Sequence, residues 1–143
     1  MKDPLFTGKD LYRLIPQRPP IVMVDTLWSA TDTEAETGLH IDSHNIFVKN
    51  NLLREPGIIE HIAQSVAAFK GYDTFRRDLP PKLGYIGEIK KCMIHSLPQA
   101  GSELHTRLQV VAEAAGITLV AAQVVCDTKP VADCQMKLFI KTE

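Results

Sequence analysis

Like charges do not run together in this sequence beyond pairs such as Arg76-Arg77 and Lys90-Lys91, and the formal net charge over 143 residues is −1. A near-neutral chain without a basic stripe offers little to nucleic acid or to a membrane surface, so a small or apolar partner is expected. Cysteine is scarce and odd in number: Cys92, Cys126 and Cys134 sit in apolar or strand-like contexts without metal-ligand spacing. They read as reduced core thiols of a cytosolic protein. No apolar run is long enough to span a bilayer, and Met1-Lys2-Asp3-Pro4 puts acid and proline where a signal peptide has a cationic start and an apolar run. A soluble, cytoplasmic protein is expected. The serines lack a nucleophile-elbow setting, and there is no Gly-rich phosphate loop, no repeat and no low-complexity tract. Neither a metal nor a cofactor is expected.

What is present is organised around Pro56-Gly57-Ile58-Ile59-Glu60-His61-Ile62-Ala63-Gln64-Ser65-Val66-Ala67-Ala68-Phe69. Pro-Gly opens it, and Ile59, Ile62, Ala63, Val66 and Ala67 recur at helical spacing, which predicts a helix from about Pro56 to Gly71 or a little beyond that is buried on nearly every side. Glu60 stands out there, because a carboxylate in the first turns of an apolar helix must face solvent or be given a polar partner. Gln64, one turn on, lies on the same face and can supply it.

Around this helix the chain reads as strand. Lys9 to Leu14 forms a short helical turn, and Ile15-Pro16-Gln17-Arg18-Pro19-Pro20 forces an extended entry. Ile21 to Trp28 is a first strand, Thr31-Asp32-Thr33 a turn, and Glu34 to Ile41 a second strand. Asp42-Ser43-His44-Asn45 breaks the pattern, Ile46-Phe47-Val48 is an apolar clip, and Lys49-Asn50-Asn51 is a turn-forming tip. After Asp78-Leu79-Pro80-Pro81, four β-rich runs follow: Lys82 to Leu97, Glu103 to Ala114, Ile117 to Cys126 and Val131 to Lys141. Their short separators suit antiparallel neighbours. Residues 1–143 are expected to form one α+β domain, an antiparallel β-sheet wrapped around one long central helix.

These residues resemble a known family. Ile15-Pro16-Gln17-Arg18-Pro19-Pro20-Ile21-Val22-Met23-Val24-Asp25 looks like the lead-in of hot-dog-fold 3-hydroxyacyl-[acyl-carrier-protein] dehydratases, a Pro-His-Arg-Pro-Pro segment before an apolar strand ending in Asp, with Gln17 in the histidine's place. The Pro56-to-Gln64 segment resembles their Pro-Gly, Glu-x-x-Ala-Gln helix start. Tyr85-Ile86-Gly87-Glu88-Ile89, with Pro98 and Gly101 beyond it, is similar to their third strand and turn. The resemblance implies a hot-dog fold, a dimer whose sheets join edge to edge, and acyl-thioester sites between protomers. It also implies dehydration of a 3-hydroxyacyl thioester in fatty-acid or related acyl-chain biosynthesis: a loop histidine of one subunit takes the α-proton, and the helix acid of the other protonates the leaving hydroxyl.

Glu60 and Gln64 match that pattern, but the Gly-His-Phe-Pro of the family is replaced by Lys49-Asn50-Asn51-Leu52-Leu53. The candidate catalytic residues are therefore Glu60, Gln64 and His44, the last as a substitute base from the loop before the helix. Asn45 and Asn51 are candidates for binding substrate, against the plainer reading that they serve turn geometry. Gly87 either marks a bulge or makes room for the helix or an acyl chain. His61 points about 100° around the helix from Glu60 and is read as structural, as are His40, His95 and His105. The expected substrate is an acyl thioester on carrier protein or coenzyme A, with Arg13, Arg18, Lys82, Lys90 and Lys91 available to an acidic carrier. Two alternatives stand beside the dehydratase: a thioesterase using Glu60 without a histidine, and a non-catalytic subunit that completes a mixed dimer with another hot-dog protein.

Overall fold

The computed structural model describes residues 3–79 and 84–140; Pro80, Pro81, Lys82 and Lys141, which bound two of the expected elements, lie outside them. The elements are β1 (Phe6–Thr7), a 3-10 turn (Gly8–Arg13), β2 (Thr26–Ala30), β3 (Glu34–His40), β4 (Val48–Lys49), β5 (Leu52–Leu53), α1 (Glu55–Arg76), β6 (Gly84–Ile94), β7 (Glu103–Ala114), β8 (Ile117–Cys126) and β9 (Lys129–Ile140). A seven-stranded sheet runs β1-β2-β3-β7-β8-β9-β6, and β4-β5 form a separate hairpin. Each ladder is antiparallel.

The helix lies on one face of this sheet because the strands alternate cleanly. On β7, Leu104, Thr106 and Leu108 are buried while Glu103, His105, Arg107 and Gln109 are exposed. On β8 the buried set is Thr118, Val120, Ala122 and Val124, which is the period-two pattern of a sheet with one packed and one wet face. Ile58, Ile62, Val66 and Phe69 of α1 enter the core from the other side. Two buried polar ties brace helix against sheet: Thr37 to Ser65 at 2.8 Å and His61 to Thr106 at 2.7 Å.

Tight hairpins carry the chain from strand to strand. Asn50-Asn51, Ala115-Gly116 and Asp127-Thr128 each have positive φ at both positions, the geometry of the turn whose twist matches paired strands.

The structure changes two expectations and sharpens a third. Ile21 to Val24 makes no ladder hydrogen bond and β2 starts only at Thr26, because Met23 bonds to the side chains of Gln64 and His61 instead of to a neighbouring strand. The helix passes Gly71 and ends at Arg76. Gly71 is accepted there because the Leu14 backbone lies where its Cβ would be, so a larger residue would push the lead-in off the helix. Burial of α1 is also one-sided: Ile59, Glu60, Ala63 and Ala67 stay only half-buried.

Candidate active site

Glu60 is half-buried on the second turn of α1, and its carboxylate Oε1 accepts a hydrogen bond from Gln64 Nε2 at 2.9 Å. Gln64 is itself fully buried and leaves no freedom in its amide. Its Oε1 accepts from the Met23 backbone N–H at 2.6 Å, and its Nε2 also donates to the Ile21 carbonyl at 2.8 Å. Since a backbone N–H can only donate, the oxygen of the carboxamide must face Met23, and the NH₂ must face Ile21 and Glu60. The lead-in thereby sets which way Gln64 presents its donors. Among the described residues Oε2 of Glu60 receives no hydrogen bond, so it is the oxygen free to carry or pass a proton.

Asn45 belongs to the same cluster. Its Oδ1 accepts from the Phe47 N–H at 2.8 Å, closing a local turn, while its Nδ2 donates to the Met23 sulfur at 3.1 Å. The helix start is pressed against this loop: a Cβ on Gly57 would meet Phe47 Cβ at 2.5 Å and Leu53 Cδ1 at 2.8 Å, a spacing only glycine allows.

His44 and Asn51 line a different place, an open cleft of about 330 Å³ together with His40, Ile41, Asp42, Ser43, Ala100 and Gly101. The His44 side chain is 96% exposed. Its Nδ1 lies 3.4 Å from Asp42 Oδ1, and its backbone N–H donates to that same oxygen at 2.7 Å. The His44 backbone N–H, and then its side chain, hold the Asp42 carboxyl below the usual range. Asn51 has φ of 63° in the hairpin tip and accepts from the Ala100 N–H through its carbonyl at 3.0 Å. Gly87 is on neither side. It sits at a register shift between Ile86 and Glu88 on β6, with the Phe139 ring occupying the space where its side chain would be.

His61, read as structural, is fully buried and paired at both nitrogens: Nδ1 to the Met23 carbonyl at 2.6 Å and Nε2 to the Thr106 hydroxyl at 2.7 Å. Burial lowers its pKa from 6.5 to about 4, with the Met23 carbonyl and then Asp25 opposing. It is neutral at physiological pH. What the sequence reading missed is Met23, whose N–H, carbonyl and sulfur tie Gln64, His61 and Asn45 together. The visible signal was its place in an apolar segment bounded by prolines and Asp25. The orphaned buried Oε1 of Gln17 also marks the lead-in as a packed segment. Among the described residues, no group of three or more His, Cys, Asp or Glu side chains could hold a metal, and no helix is long and apolar enough to cross a membrane.

A family model described as ApeP-like, ApeP dehydratase, matches residues 9–143. The sequence is 26% identical over 150 residues, covering 95% of this chain and 97% of the relative, to 3-hydroxyacyl-[acyl-carrier-protein] dehydratase FabZ of Sulfurovum sp. (strain NBC37-1). A solved structure of the dehydratase heterocomplex ApeI:P from Xenorhabdus doucetiae is similar with a TM-score of 0.84 at 14% identity, over 93% of this chain and 91% of that one. A hypothetical thioesterase with coenzyme A from Streptococcus pneumoniae TIGR4 gives 0.66 at 7% identity, over 82% and 85%. The structural likenesses establish the fold, which is the hot-dog fold.

Proposed function

The chain belongs to the ApeP-like dehydratase family, and on that premise we propose that it removes water from 3-hydroxyacyl thioesters with Glu60 as the general acid. The observation that carries this reading is the bond from Gln64 to Glu60 Oε1. A donor fixed on one oxygen leaves Oε2 to hold the proton that the departing hydroxyl needs. Gln64 is the orienting residue. The reaction also needs a base for the α-proton, and His44 is the base this chain offers, with Asp42 beside its Nδ1. It serves the Glu60 of a facing subunit across an oligomer interface, with Asn45 and Asn51 on the substrate side. The substrate is carried on carrier protein or coenzyme A.

A second reading differs only in the source of the base. The exposure of His44 and the likeness to a dehydratase heterocomplex support a mixed assembly in which another hot-dog subunit supplies it. Incubating the purified protein with 3-hydroxyacyl and trans-2-enoyl thioesters, alone and with a second hot-dog protein, tests both readings. Interconversion by the protein alone that is lost in Glu60→Gln and in His44→Ala supports the first. Activity only in the mixture, lost in Glu60→Gln and kept in His44→Ala, supports the second. Release of free thiol without enoyl formation contradicts both and identifies a thioesterase.

A further inference from the structure

Met23 lies in the stretch from Ile21 to Val24 that no ladder hydrogen bond holds; the first backbone tie to the sheet comes at Asp25, whose N–H donates to the Gly38 carbonyl at 3.0 Å. What fixes Met23 is side chains. Gln64 takes its N–H at 2.6 Å, and His61 takes its carbonyl at 2.6 Å. These two groups sit three residues apart on α1, so neighbouring helix positions grip opposite ends of one residue's backbone. One bond alone would leave the segment free to pivot about it. Two bonds on opposite sides remove the pivot.

The chemistry fixes the imidazole as well. A carbonyl only accepts, so Nδ1 bears the proton and Nε2 accepts from the Thr106 hydroxyl. His61 Nδ1 therefore holds the Met23 carbonyl, while Nε2 ties the ring to β7 and adds to stability. Since Met23 in turn decides how the Gln64 amide is turned, the chain of contacts ends at Glu60 Oε1, 2.9 Å from Gln64 Nε2. From this geometry we infer that His61 is a positioning residue for the reaction, holding Glu60 in place through Met23 and Gln64 without touching it. The inference rests on the assignment of Glu60 as the acid and names a residue that acts through it.

Asparagine and glutamine variants separate positioning from packing. Asparagine places an amide nitrogen near the position of Nδ1 and keeps the donation to Met23. Glutamine reaches toward Thr106 and gives up Met23. Thr106→Val removes the anchor bond but leaves the imidazole. In the assembly that turns over, His61→Gln is expected to lower kcat by roughly ten- to a hundred-fold with little change in KM. His61→Asn should recover most of that loss, and Thr106→Val should lower the melting temperature with kcat nearly unchanged. Hydrogen exchange of the Gln64 side-chain amide, followed by NMR, gives a readout that needs no turnover: protection is lost in His61→Gln and kept in His61→Asn. Equal kcat losses in all three variants, or Gln64 protection unchanged in His61→Gln, would overturn the inference. Glu60→Gln run alongside distinguishes the two failures. Full activity there sinks the acid assignment, while the exchange result still decides the link from His61 to Gln64.

Discussion

The two sides of the proposed chemistry are built in opposite ways. On the helix side, Glu60 is held by a fully buried glutamine whose every donor and acceptor has a fixed partner at 2.6–2.9 Å. On the loop side, His44 is almost wholly in solvent, and among the described residues its side chain pairs only with Asp42 and Ser43 of its own loop. The proposed acid is preorganised inside one chain, whereas the proposed base is merely presented. One finished half and one open half agree with the proposal of a site completed across an interface. Interactions that cost no reorganisation at the moment of reaction are the ones that lower a barrier, so the finished half shows where the fold invests its structure.

That contrast can be broken from the helix side with large effects. Gln64→Leu leaves the part-buried Ile21 carbonyl and Glu60 without their partner and orphans the buried Met23 N–H, and an unsatisfied buried group costs about 1–3 kcal/mol. A loss of up to about 3 kcal/mol is expected in chemical denaturation. Acid gives an effect of similar size through His61. Its folded pKa of about 4 lies below the ordinary 6.5, so between these values the unfolded chain takes up a proton that the folded chain refuses. The contribution is fully present above pH 6.5 and is lost as pH falls towards 4, roughly 3 kcal/mol in total. Melting curves across that window should show the loss in the parent and not in His61→Asn.

Gly57→Ala comes next. The added methyl meets Phe47 and Leu53, and a cost of about 1–3 kcal/mol is expected from crowding a packed contact. The smallest effect belongs to the loop side: with its side chain in solvent, His44→Ala should alter stability by less than about 0.5 kcal/mol. A large destabilisation by that substitution would remove the distinction between the two halves.

Much of the fold was legible because its signals are local. Alternation and turn residues placed β7 and β8 at their observed bounds, and Pro56-Gly57 marked the helix start. The helix end was legible only to within about a turn beyond Gly71, and why glycine stands there shows only once the Leu14 backbone is seen to need the space. Nor was the fate of Ile21 to Val24, whose β-branched residues promise a strand but whose Met23 and Ile21 backbone groups bond to helix side chains. Within the site, the pairing of Glu60 with Gln64 followed from helical spacing. The roles of Met23 and His61 did not, because they depend on contacts 38 and 41 residues apart in sequence. Gly87 offered both a bulge and an empty space to the reader, and the Phe139 ring fills the space.

The most direct test of the central claim is the rate at which 3-hydroxyacyl and trans-2-enoyl thioesters interconvert in the active assembly, compared between the parent and Glu60→Gln at equal folded concentration. General acid catalysis predicts a fall of about a hundred-fold or more with the fold and assembly intact. An unchanged rate in Glu60→Gln would contradict the account, because the clamped carboxyl would then have no part in the loss of water.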